Sequence, residues 1–199
     1  MTNPRLERVR TELGDCTRCP LHASRAHLVF GAGNPHAEIV LVGEAPGARE
    51  DERGVPFVGA AGNLLDRMLE SIELARSDIY IANVLKCRPP KNRDPRPAEI
   101  ETCVPFLFEQ IAAIGPRVVG TLGNFSSRLL LGTKEGITTL RLRTHDVRGF
   151  RVVPMYHPAA ALHNGSLRGE VARDFEFLRE QVQASAAAGP PEGDRGRPS

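Results

Sequence analysis

The 199-residue chain has no tryptophan, two tyrosines and eight phenylalanines, so any stacking role for an aromatic ring falls on very few positions. It has no apolar run near the ~20 residues that a bilayer-spanning helix requires. Nor is there a short apolar stretch behind basic residues at the N-terminus, so a soluble, cytoplasmic protein with no membrane partner is expected. Neither sign of charge is in large excess: a formal net charge of +2 excludes a wholly basic protein, while 26 lysines and arginines leave room for one basic face. Cysteine is scarce, four residues, and in a reducing compartment these are expected to be unpaired. No internal repeat is found. With 41% apolar residues the chain can bury one sizeable core, which sets a single domain as the expectation.

What is present alternates. Short β-type runs at 38–42, 79–84, 117–122 and 150–155 are separated by helical patterns at 63–74, 98–114, 124–131 and 171–182. Pro105 is expected to restart the helix it falls in. Strands alternating with helices predict an α/β domain over residues 1–182, with a mostly parallel sheet of about four strands covered on both faces. From Gln183 onward "QASAAAGPPEGDRGRPS" is small, polar and proline-rich, the composition of a disordered tail.

Directly after the first apolar run comes "GEAPGAREDERGVPFVGAAG", residues 43–62, dense in glycine and carboxylate. An open α/β sheet binds ligands outside the carboxyl ends of its strands. "GEAPG" follows the first run, "NVLKCRPP" closes the second and "YHPAAAL" follows the last, so Glu44, Asn83 and His157 are predicted to converge on one rim. Taken singly these are turn glycines, a strand-end asparagine and a rigid His-Pro turn; it is the coincidence of three that points to a site.

The cysteines form a second constellation. Cys16 and Cys19 are a C-x-x-C pair, and Cys87 and Cys103 bracket a proline-rich loop. Four thiolates suit Zn²⁺ or an iron–sulfur cluster; a redox dithiol or plain buried thiols are the alternatives.

These segments together resemble the family 4 (thermostable-type) uracil-DNA glycosylases. The resemblance rests on "GNPHAEIVLVGE", "GEAPG", "EDERGVPFVGAAGNLLD", "YIANVLKCRPPKNRDP", "MYHPAAAL" and the order of the four cysteines, covering most of residues 16–180. It implies an α/β/α sandwich whose Cys16, Cys19, Cys87 and Cys103 ligate a structural [4Fe–4S] cluster. It further implies a monomeric hydrolase of base excision repair that removes uracil from single- or double-stranded DNA, with Gly43, Glu44, Ala45, Phe57, Asn83 and His157 around the base. The other functions weighed are a non-catalytic iron–sulfur nucleic-acid-binding protein and a cluster-based redox carrier. A histidine-bearing basic insertion, which traps the abasic sugar in one relative, is missing between Cys87 and Cys103, so a monofunctional enzyme is expected.

Elementary chemistry fits these assignments. A base inside a duplex must be extruded at a cost of a few kcal/mol, and stacking on a ring such as Phe57 returns roughly 1–3 kcal/mol. A carboxamide at Asn83 accepts from uracil N3–H and donates to O4, while cytosine presents the opposite pattern. Breaking the N-glycosidic bond leaves positive charge on the sugar and negative charge on the base. A neutral His157 would donate to uracil O2, and a carboxylate would hold the water. The best-known uracil glycosylases place an aspartate where this chain has Ala45, so Glu44, Glu50 or Asp51 must take the water, with Glu44 preferred by position. Glu50, backed by Asp51, is also the candidate for excluding thymine's methyl group. The loop after His157 resembles a minor-groove wedge, with Leu162 as the intercalating side chain and Arg168, Lys91, Arg93 and Arg96 on phosphates.

Overall fold

The computed structural model describes residues 2–187. Four strands make a parallel sheet: β2 (Ile39–Gly43), β3 (Tyr80–Asn83), β4 (Val118–Leu122) and β6 (Phe150–Met155). They stand in the order β3-β2-β4-β6. Two short antiparallel edges extend this frame to six strands, β1 (Ala32–Gly33) beside β3 and β5 (His145–Val147) beside β6. Two or three residues give no measurable alternation, and the sequence pattern accordingly shows only the four inner strands.

Each inner strand is buried on both faces, as a doubly covered parallel sheet requires, and period two sorts its side chains between two cores. Val40, Val42, Tyr80, Ala82, Val119 and Val152 point to one core, with α1 (Pro4–Leu13) and α4 (Pro97–Ile114). Ile39, Leu41, Ile79, Ile81, Val153 and Met155 point to the other, with α3 (Ala60–Ser71) and α8 (Arg168–Ala187). The result is one three-layer α/β/α body. Shorter helices α2 (Ala48–Arg53), α5 (Asn124–Leu131), α6 (Ile137–Leu140) and α7 (Pro158–His163) lie in the connections.

Three differences from the sequence pattern have physical causes. Pro105 does not restart a helix; α4 runs through it unbroken. A proline there costs about 3 kcal/mol, but Phe106, Leu107, Ile111 and Ile114 are all buried, each worth about 1.5–3 kcal/mol, and their sum wins. Helix α1 is absent from the predicted elements, although its signal is local: Asn3 caps Arg5 N and Leu6 N at 3.1 and 3.2 Å, and Pro4 opens the first turn. Helix α8 begins at Arg168 and reaches Ala187, so residues 183–187, assigned to a tail by composition, are helical, while 188–199 lie outside the described residues.

Candidate active site

A parallel sheet delivers the carboxyl ends of all its strands to one edge, and here that edge carries a cavity of about 520 Å³. Gly43 and Asn83 are register partners at the ends of β2 and β3. Glu44 follows β2 and His157 follows β6 by two residues. Glu44, Ala45, Glu50, Phe57, Asn83 and His157 all line the cavity. The three strand-end segments therefore meet as the sequence pattern predicts.

Asn83 is 2% exposed, and its Oδ1 is fully buried without a hydrogen-bond partner. An orphaned buried carbonyl oxygen costs about 1–3 kcal/mol, which a ligand donor would return. Phe57 and His157 stack, ring centroids 5.5 Å apart and planes inclined by 27°. Phe57 holds φ +55°, a left-handed conformation that costs a non-glycine residue roughly 1–2 kcal/mol. The backbone N–H of Ala159 donates to His157 Nδ1 at 3.1 Å, which leaves the ring proton on Nε2. Burial pushes the His157 pKa down to about 4 against a smaller opposing pull from Glu50, so the ring is neutral at physiological pH.

The three candidate carboxylates separate. Glu44 lines this cavity and a neighbouring one of about 560 Å³, shared with His157, Asp94, Asn124 and Arg128. Burial, helped by Asp94, raises its pKa above the ordinary carboxylate value. Glu50 lines the cavity but spends Oε1 on the N–H groups of Val58 and Gly59, at 3.0 and 3.1 Å. Asp51 corrects the expectation. It does not line the cavity; its Oδ1 accepts from Ala26 N at 3.0 Å and its carbonyl from His27 Nδ1. Neighbours on a helix project about 100° apart, so of the two acids only Glu50 faces the base side.

The cysteines gather on the α1–α4 side, packed against the same apolar core. Cys103 and Cys19 stand close enough to Cys87, and Cys19 and Cys16 close enough to Cys103, for their charges to help raise the pKa of Cys87 and of Cys103. Burial is the larger cause, pushing the Cys87 thiol up to about 11 and Cys103 also upward. Three donors face the sulfurs: Arg25 Nη1 to Cys87 at 3.2 Å, Arg18 Nη1 to Cys16 at 3.4 Å and the backbone N–H of Lys86 to Cys103 at 3.3 Å. Among the described residues no three His, Cys, Asp or Glu side chains are arranged to hold a single metal ion.

Residues 30–184 match the family model of the uracil DNA glycosylase superfamily. The chain belongs to that superfamily. It is 44% identical to a type-4 uracil-DNA glycosylase of Archaeoglobus fulgidus over 88% of this chain and 92% of that one. It is also 44% identical to a type-4 uracil-DNA glycosylase of Thermotoga maritima, over 89% and 95%. A type-5 uracil-DNA glycosylase of Pyrobaculum aerophilum is 33% identical over 78% and 74%.

Within this superfamily member the outer residues sort as follows. Ala161 is buried at 1% exposure while Leu162 stands 41% exposed. Arg168 is exposed beside Arg67, and the pair rims a small cleft with Leu64, Met68 and Ala161. Lys91 and Arg96 are exposed. Arg93 is not a free cation: its guanidinium makes a bidentate pair with Glu99, at 2.6 and 2.9 Å, on the cavity wall. Spacing could not show this, because Arg93 and Glu99 meet only after the loop closes on the first turn of α4.

Two polar assemblies behind the site have no signature in the sequence. Buried Lys86 donates from Nζ to the carbonyl of Asn83 at 2.7 Å and to Gln110 Oε1 at 2.5 Å. Arg141 pairs with buried Asp174, whose Oδ2 accepts from Tyr156 N at 2.8 Å, one residue before His157. No helix of the described residues is long and apolar enough to cross a membrane.

Proposed function

We infer that this chain is a uracil-DNA glycosylase. It receives an extruded deoxyuridine and adds water across the bond between C1′ and uracil N1, leaving free uracil and an abasic site in DNA. The observation that carries the reading is the buried carboxamide of Asn83, its Oδ1 without a partner, on the wall of the cavity that Phe57 and His157 also line. Uracil offers a donor at N3 and an acceptor at O4, the complement of a carboxamide; cytosine in the same place would leave both protein groups unpaired, a mismatch worth roughly 10⁴-fold in selectivity.

Phe57 takes the face of the base. As C1′–N1 breaks, N1 keeps the electron pair and uracil leaves as an anion, toward which His157 donates Nε2–H at O2. A neutral imidazole suits this task, since it stabilises the anion without first being deprotonated. Glu44, ionised, faces the cationic sugar and accepts the proton of the water that attacks C1′. Glu50 sets the wall of the base cavity through the loop it staples, and Asp51 fixes α2 from behind. Cys16, Cys19, Cys87 and Cys103 would hold a [4Fe–4S] cluster that ties the segment after α1 to the end of β3 and to α4, and takes no part in the reaction. The all-sulfur donor set and the three N–H groups directed at it support this. Leu162 enters the vacated stack, with Arg168, Lys91 and Arg96 on phosphates.

The test is release of free base from matched oligonucleotides carrying one uracil, cytosine or thymine, with Glu44→Gln as the control. Uracil release that the substitution abolishes is the expected result. Binding of the uracil strand without release would replace the enzyme by a non-catalytic binder.

A further inference from the structure

We propose that Arg76 is a positioning residue that presets Phe57 as the platform for the base. The proposal rests on the assignment of Phe57 to stacking. Phe57 carries a side chain in the left-handed region, φ +55°, where glycine is the usual occupant. The conformation of a residue is the relative orientation of the two peptide planes that meet at its Cα. Arg76 grips both: Nη1 donates to the carbonyl of Pro56 at 3.2 Å and Nη2 to the carbonyl of Phe57 itself. The second plane is held from its other edge as well, because Glu50 Oε1 accepts from Val58 N.

The guanidinium is in turn oriented by helix α3. Its Nε donates to Asp66, and Nη2 also reaches the carbonyl of Gly62 at 3.4 Å. Gly62 comes so close to the loop that a Cβ there would stand 1.8 Å from the Phe57 carbonyl oxygen. A planar fork with several fixed donors can satisfy carbonyls from two differently tilted planes at once; a lysine ammonium is a single point and cannot.

Relaxing Phe57 to negative φ would turn the Pro56 carbonyl away from Nη1 and swing the ring off its seat. That seat is narrow: the ring lies 3.0–3.2 Å from where a Cβ on Gly43 would be, and it stacks on His157. Arg76 does not line the cavity. Its influence on uracil therefore passes through the Phe57 backbone.

The experiment is a double-mutant cycle on the full-length holoprotein with Arg76→Gln, Arg76→Lys and Phe57→Ala. Single-turnover uracil excision and inhibition by free uracil are measured, with thermal unfolding alongside. Arg76→Gln and Phe57→Ala should each weaken uracil binding and excision by roughly 5- to 150-fold, the factor that one lost stacked base makes. Adding Arg76→Gln to Phe57→Ala should change neither further, because the ring through which it acts is gone. A general structural role would not produce that non-additivity. Additive losses in the double variant overturn the proposal and leave the stacking role intact. Wild-type behaviour of Phe57→Ala would remove the stacking role itself, and the proposal with it. Where Arg76→Gln does not fold, Arg76→Lys, which keeps the charge and one carbonyl bond, closes the same cycle.

Discussion

Replacing Gly43 by alanine isolates the placement of the base-reading carboxamide. A Cβ at Gly43 would lie 2.3 Å from Asn83 Oδ1 and 3.0 Å from Phe57 Cε2. Ordinary contact begins near 3.4 Å, so Oδ1 must retreat by about 1 Å. At 2% exposure Asn83 is packed everywhere except toward the cavity, which is where the carboxamide has room to move. A misplacement of about 1 Å in a reacting complex costs on the order of 10²-fold, or about 2.7 kcal/mol of transition-state stabilisation. Overpacking should remove about 1–3 kcal/mol of stability, a few degrees in Tm. The assay is single-turnover release of uracil from a labelled oligonucleotide with enzyme in excess, beside the affinity for the thymine-containing counterpart, which should not change because Gly43 is buried. A folded Gly43→Ala protein with the wild-type rate would refute the reasoning, for it would mean that chemistry tolerates a displaced Asn83.

Five further outcomes are expected. His157→Ala should cut single-turnover excision by roughly 10²–10³ with DNA affinity kept, the usual loss for one preorganised donor. The same histidine has a folded pKa of about 4, below its ordinary 6.5. The unfolded chain therefore binds the extra proton in that window, and stability should fall as pH drops from 6.5 to 4. Urea titrations of His157→Gln should show that slope flattened, and parallel curves for the two proteins would contradict the assignment. Because burial raises the Glu44 pKa, excision should decline as pH falls through a value above the ordinary carboxylate range. A pH–rate profile that keeps this limb in Glu44→Gln would move water activation elsewhere. Asn83→Asp should lose most uracil release and gain weak cytosine release that grows from pH 8 to pH 5, as the buried acid protonates and can donate to cytosine N3; undiminished uracil release would show that Asn83 does not read the base. Cys87→Ala should lower thermal stability and DNA binding more than the rate per folded molecule, and a stable, normally active variant without a 400 nm absorbance would count against a structural cluster.

The linear pattern by itself determines the four parallel strands, since continuous apolar runs such as Ile39–Val42 can be satisfied only between two covered faces. It also determines that Glu44, Asn83 and His157 share a cavity, because in a parallel sheet every strand-end residue arrives at the same edge. Edge strands of two and three residues carry too few positions for a period, and only their neighbours β3 and β6 define them. Glu50 and Asp51 are adjacent and chemically alike; the rotation of one helix step decides that the first meets the cavity loop and the second meets Ala26. Arg93 reads as a free phosphate ligand until the fold brings Glu99 against it. The left-handed Phe57 and the guanidinium that grips the Pro56 and Phe57 carbonyls come from segments 19 residues apart. No local propensity encodes such a contact: it exists only once α3 stands beside the loop, so that Asp66 and Gly62 hold Arg76 against it.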